Sequence, residues 1–255
     1  MSEVTPEQGG LLQTRALSKN FGGLQVTRQV SLSLEAGARV GLIGPNGAGK
    51  TTLVNLITGV LAPSSGSVWL NGKDVTHLSQ PERVSQGLVR TFQITQLAPR
   101  IAVRRQVEMA IHQRLGSVSS WFRPAEAFSE VRDEAACVLK ALRLEPVANR
   151  LPVELAYGEQ RLIEIALALA LEPSVLLLDE PMAGVPSGER AIILDALAAL
   201  PPELAILMIE HDMGLVFSFA SRVVVLAEGA LLADGSPDEI RSHPAVRSVY
   251  LGTAA

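Results

Sequence analysis

The residues Gly44, Pro45, Asn46, Gly47, Ala48, Gly49, Lys50 and Thr51 combine spaced glycines with a lysine and a hydroxyl. That set suits the capture of phosphate. Glycines let successive backbone N–H groups turn toward one concave point, and a helix beginning there adds roughly half a positive charge. Lys50 supplies a mobile cation for the outer phosphates of a nucleotide. Thr51 supplies a hydroxyl placed to ligate the accompanying Mg2+, and Thr52 continues the same turn. A second group of residues lies far downstream, where Val175 to Leu178 form an apolar run ending in the adjacent carboxylates Asp179 and Glu180. Two acids in succession are costly to bury for structure alone. At the C-terminal end of a buried parallel strand, Asp179 is suited to face the metal and Glu180 to reach the water that attacks a terminal phosphate.

These residues need particular elements to hold them. Ala38 to Ile43 is apolar enough for a buried strand, and Leu53, Leu56, Ile57 and Val60 recur at helical spacing, so the glycine loop joins a strand to a helix N-terminus. The unbroken run before Asp179 reads as a strand covered on both faces. Leu204 to Ile209 reads as a further strand, with His211 following it. Asn71-Gly72 and Glu228-Gly229 carry hairpin signals, with Trp69 read as core beside the first.

Composition bounds the rest. At 255 residues the chain has room for a large core and one accessory domain. A net charge of -4 gives no electrostatic reason to expect a nucleic-acid partner. The single cysteine, Cys137, falls in a helical pattern and reads as a small buried hydrophobe in a reducing compartment. MSEVTPEQGG lacks the basic start and apolar core of a signal peptide, and no apolar run approaches the ~20 residues that span a bilayer.

Between the two chemical groups stands LAYGEQRLIEIA, from Leu155 to Ala166. With the glycine loop before it and the acidic strand after it, this segment resembles the signature of ABC ATPases, usually LSGGQ or LSYGEQ. The resemblance runs along the whole chain. It implies an α/β fold: a P-loop ABC ATPase cassette with an antiparallel β subdomain and an inserted helical subdomain. By the same resemblance, Leu155, Ala156, Tyr157, Gly158, Glu159 and Gln160 contact nucleotide held by a second ABC ATPase subunit, identical or not. Ala156 replaces the serine that in the family bonds the terminal phosphate, and Pro186, in Met182 to Pro186, stands where asparagine or aspartate is common. Phe21 matches the aromatic ring set against adenine. Gln93, in RTFQ, matches the glutamine that touches Mg2+ and the attacking water, and His211 matches the switch histidine of the terminal phosphate.

The family further implies an ATPase that drives a membrane permease, with two cassettes closing on ATP and opening after hydrolysis. RTFQ, EPMAG and the ending VYLG are similar to importers of branched-chain and hydrophobic amino acids, whose relatives also serve urea and amides. A regulatory cassette with weak hydrolysis is the alternative that Ala156 and Pro186 raise. The expected partners are integral-membrane permease subunits, the second cassette and, indirectly, a periplasmic or extracellular solute-binding protein. The expected location is cytoplasmic, on the inner face of the membrane. The expected division is a catalytic core with β subdomain over 11–93 and 157–235, a helical subdomain over 94–156, and a helical tail over 236–255. Within the helical subdomain, Trp121 and Phe122 break the periodicity and read as either a tucked turn or an exposed contact patch.

Overall fold

The computed structural model describes residues 10–91, 97–116 and 125–251. Gln93, Trp121 and Phe122 lie outside the described residues. The chain divides by its contacts into two compact units. One takes in the described residues of Met1–Arg90, Ser174–Glu180 and Pro202–Ala255, and the other those of Thr91–Pro173 and Pro181–Pro201.

The first unit is built on two sheets. The strands β1 (Leu12–Phe21), β2 (Leu24–Leu34), β4 (Ser65–Leu70) and β5 (Lys73–Asp74) form an antiparallel sheet in the order β2-β1-β4-β5. Asn71, at φ 51, and Gly72, at φ 73, make the tight turn between β4 and β5. The second sheet contains β3 (Arg39–Ile43), β6 (Leu88–Arg90), β7 (Val175–Asp179), β8 (Ala205–Ile209), β9 (Arg222–Ala227) and β10 (Ala230–Gly235), ordered β10-β9-β3-β8-β7-β6. All its pairings are parallel except β9 with β10, which the turn at Glu228-Gly229 joins as a hairpin. Strands β7 and β8 are buried at every residue, the signature of strands covered on both faces. Leu12, Leu17 and Val68 from the antiparallel sheet share one core with Leu42, Leu177 and Leu207 from the other.

Helix α1 (Lys50–Thr58) buries Leu53, Val54, Leu56 and Ile57 and stops at Gly59, whose left-handed conformation ends it. Val60 is therefore past the helix, and it is exposed rather than on the apolar face its spacing suggested. The last carbonyls of α1 find their partners on α2 (Gln80–Ser85). Arg83, only 1 % exposed, donates to the Leu56 and Ile57 oxygens at 2.8 and 2.6 Å, and to Thr76 and Leu78 as well. Trp69 departs from its expected place in the core. It is only half-buried, with its ring under the Arg15 guanidinium at 4.1 Å and its Nε1–H donated to Ser67, because its strand position faces away from the packed side. Short helices α7 (Met213–Phe219), α8 (Pro237–Ser242) and α9 (Pro244–Leu251) complete this unit, packing Val216, Ile240 and Val246 against Ile43, Val223 and Val225.

The second unit contains α3 (Val103–Arg114), α4 (Ala125–Ala141), α5 (Tyr157–Leu169) and α6 (Ser187–Ala198). It extends past the boundary drawn at Ala156, because α5 packs on α3 and α4, and α6 packs on α5. Helix α4 buries Val131, Ala135 and Leu139, a stripe at i, i+4 and i+8. Cys137 lies off that stripe and is exposed, which corrects its reading as a buried residue.

Arg83→Met should strip at least two buried carbonyls of their donors. At about 1–3 kcal/mol for each group left unpaired, a loss near 3 kcal/mol is expected, or roughly 6–12 °C in the melting midpoint. Calorimetry of the full chain measures it. A melting midpoint within a degree of the parent would show that water replaces the arginine.

Candidate nucleotide site

The glycine loop follows β3 and leads into α1, as the spacing predicts. Its backbone needs glycine for a steric reason. At Gly49, with φ 96, an added Cβ would stand 2.8 Å from the Val26 oxygen, and at Gly44 it would stand 2.2 Å from the Leu226 oxygen. Neither backbone oxygen can yield as a flexible side chain would. The loop is also pinned from outside, where Gly229 N–H donates to the Ala48 carbonyl at 3.0 Å and the Gly229 carbonyl accepts from Arg28 N–H at 2.7 Å. Lys50 folds back on the loop, donating its Nζ to the Gly44 and Pro45 oxygens at 2.6 and 3.0 Å. Partial burial lowers its pKa from the ordinary lysine value, while the charge of Glu180 acts in the opposite direction. Thr51 is exposed and Thr52 half-buried on the first turn of α1, and Asn46 and Gly47 are exposed on the loop.

In sheet order β3 is next to β8, and β8 is next to β7. Three C-terminal strand ends therefore deliver the loop, His211 and the Asp179-Glu180 pair to one edge. Asp179 lies opposite Ile209 in register, and Glu180 N–H donates to the Ile209 oxygen at 2.9 Å. Glu180 adopts φ 47, a left-handed conformation uncommon for a side-chain-bearing residue. His211 leaves β8 with its side chain 65 % exposed and Nδ1 3.6 Å from a carboxylate oxygen of the buried Glu210. Phe21 ends β1 with 47 % of its surface exposed, and Lys19 Nζ stands 5.3 Å from its ring centroid. An aromatic face so presented is available for stacking.

Residues that sequence reasoning did not single out also belong to this edge. Arg90, the last residue of β6, forms an ion pair with Asp179, and its other terminal nitrogen donates to Asn55 Oδ1 at 2.7 Å. Tyr250 on α9 brings its hydroxyl to the Gly44 backbone, and burial pushes its pKa up to about 12. An arginine ending an apolar strand and a tyrosine in a short helix carry no spacing signal.

Leu155 to Gln160 lie in the other unit, where Ala156 is the N-cap of α5 and, having no side-chain oxygen, leaves the capping to others. Glu159 accepts from the Ala156 N–H at 2.9 Å, and Gln160 Nε2 donates to the Leu155 oxygen at 3.1 Å. The Gly158 N–H, one of the donors such a helix start offers to an anion, is already given to Glu189 Oε2 of α6 at 2.7 Å. Tyr157 is partly exposed and stacks with Arg161 at 5.9 Å from its ring centroid. Pro186 caps the start of α6 without a side-chain bond.

A profile of the ABC transporter family matches residues 27–183. The chain belongs to the ABC transporter family. It is an ATP-binding, ATP-hydrolysing cassette of that family. A further profile, for branched-chain amino acid ATP-binding cassette transporters, matches residues 230–255. Among similar proteins is LivG of Salmonella typhimurium, a high-affinity branched-chain amino acid transport ATP-binding protein. It is 41% identical over 251 residues, covering 96% of this chain and 98% of the relative. BraF of Pseudomonas aeruginosa, described in the same terms, is 39% identical over the same length and shares. An ATP-binding cassette of an ABC transporter, solved in its ADP conformation, superposes with a TM-score of 0.82 at 31% identity, covering 95% of this chain and 98% of the other. Among the described residues of the cassette, no helix is long and apolar enough to cross a membrane.

Glu189→Ala should remove the acceptor for the Gly158 N–H and destabilise the start of α5 by about 1–2 kcal/mol, the range for losing a helix cap. Glu189→Gln, which keeps an acceptor oxygen, should lose about half as much. Urea denaturation followed by circular dichroism compares them. Equal midpoints for parent and alanine variant would show that the bond does not hold α5.

Proposed function

We propose that this cassette binds ATP with Mg2+ at Gly44 to Thr52 and hydrolyses it to drive a permease importing branched-chain or other hydrophobic amino acids. The carrying observation is the common edge formed by β3, β8 and β7, which brings a phosphate-binding backbone, a lysine, two carboxylates and a histidine to adjacent strand ends. The substrate class is supported by the likeness to LivG and BraF and by the match over residues 230–255.

Lys50 exchanges the carbonyls of Gly44 and Pro45 for phosphate oxygens, gaining a charge-assisted contact. Thr51 and Asp179 offer hard oxygens of the kind that magnesium takes, and would hold the ion beside the phosphates. The metal, when bound, neutralises charge on the phosphates. Phe21 stacks on adenine. Glu180 orients and deprotonates the attacking water, which forms a bond to the terminal phosphorus as ADP leaves with the electron pair of the broken P–O bond. His211, two residues beyond Ile209, contacts the terminal phosphate, and Gln93 joins the water and metal to the permease.

The signature residues Leu155 to Gln160 close on the nucleotide of a second cassette, and loss of the terminal phosphate releases them. The switch is a difference in ligand affinity between closed and open states. A solute-binding protein delivers the amino acid on the opposite side of the membrane, and the cassette works at the cytoplasmic face. Nucleic acid has no part in this cycle.

Glu180→Gln should keep ATP binding and lose at least ~100-fold in phosphate release, the range for removing a general base. An ATP-dependent dimer should then accumulate on a sizing column. Hydrolysis at the parental rate would assign the water to another residue.

Ala156→Ser should restore a hydroxyl toward the partner's phosphate, strengthening closure by roughly 1.5–3 kcal/mol per site, the range for a hydrogen bond to a charged group. Dimer fraction and turnover should rise together. Sedimentation velocity in saturating ATP checks this, and equal dimer fractions would show that the hydroxyl is not missed.

A further inference from the structure

We propose that Arg90 is a positioning residue that sets the spacing between Thr51 and Asp179. This inference rests on the reading of Thr51 and Asp179 as the residues that hold magnesium. The juxtaposition that carries it is a bridge across three elements. The Arg90 guanidinium, 12 % exposed, pairs at one end with Asp179, 9 % exposed at the end of β7, and donates at the other to Asn55 Oδ1 on α1 at 2.7 Å. Asn55 lies four residues after Thr51 on the same helix, so the two share a face one turn apart. Arg90 therefore braces the element carrying the hydroxyl against the element carrying the carboxylate.

The chemistry at Arg90 argues for a role beyond holding the sheet together. Its guanidinium is mostly buried and spends two of its nitrogens on Asp179 and Asn55, side chains of two different elements. Strand β6 pairs with β7 through backbone bonds that any apolar residue at this position would also permit. A lysine would keep the charge but lose the planar fork that lets one side chain reach two partners in fixed directions. Magnesium demands near-ideal geometry, so a carboxylate and a hydroxyl contributed by different elements must be held at a constant separation.

The test is a magnesium titration of nucleotide binding by the full chain, using trinitrophenyl-ATP fluorescence and, in parallel, phosphate release. Arg90→Met should raise the magnesium midpoint ~10–100-fold, the range for losing an orienting partner of a metal ligand, while affinity in excess chelator stays at the parental value. Arg90→Lys should fall between the two. Asn55→Leu, which keeps the ion pair and removes only the second anchor, should shift the midpoint in the same direction by less. If Arg90→Met does not fold, Asn55→Leu and Arg90→Lys decide the question. Parental midpoints in the folded variants would overturn the proposal and leave a structural ion pair, and a lowered midpoint would overturn it in favour of competition between Arg90 and the metal. Asp179→Asn separates the two levels of argument. A parental midpoint in that variant would remove Asp179 from the metal site, and the underlying reading would fail whatever Arg90 does.

Discussion

The parallel register of β3, β8 and β7 is the constraint on which the nucleotide site depends. Val40 pairs with Leu207 and Leu176 with Ile206, so the strands run level and end within a residue or two of one another. Because these strands are buried on both faces, slipping one by a residue would interrupt the backbone ladder within a dry core. The chemistry at the edge inherits that rigidity. Loop glycines, carboxylates and histidine arrive from far apart in sequence, and their relative height is fixed by hydrogen bonds none of their side chains make.

Much of this arrangement was legible in the sequence, because the signals were local. Val175 to Leu178 could form a buried strand almost regardless of what surrounded them, and the glycines before Lys50 had a mechanical reason for their spacing. Asn71-Gly72 called for a tight turn. What escaped was whatever depended on a distant partner. Arg90 and Asp179 are far apart in the chain, and nothing in the strand LVR indicates that its arginine bridges two other elements. Cys137 and Trp69 were misplaced for a related reason. Composition favours burial for both residue types, but the phase of a helix or strand decides which face each occupies.

Two features reach the glycine loop from outside its own strand and helix. The hairpin joining β9 and β10 holds Ala48 through Gly229, and α9 brings Tyr250 against Gly44. The Gly229 bond thus ties the loop near its middle to a segment late in the chain, and Tyr250 packs against its beginning. In the helical unit the start of α5 is likewise served by a neighbour, with Glu189 supplying an acceptor that Ala156 does not. A signature that lacks its usual hydroxyl is therefore still an ordered helix start.

The backbone at Glu180 sets the interests of the fold against those of the chemistry. A left-handed conformation costs a residue with a Cβ about 1–2 kcal/mol relative to glycine, and φ at this residue is 47. By conformational preference alone, glycine would suit the position better. A carboxylate held at such a backbone angle is the kind of local strain that a role in the proposed hydrolysis would account for. A screen of this chain for heat resistance alone would thus favour removing the very carboxylate to which the proposed hydrolysis is assigned.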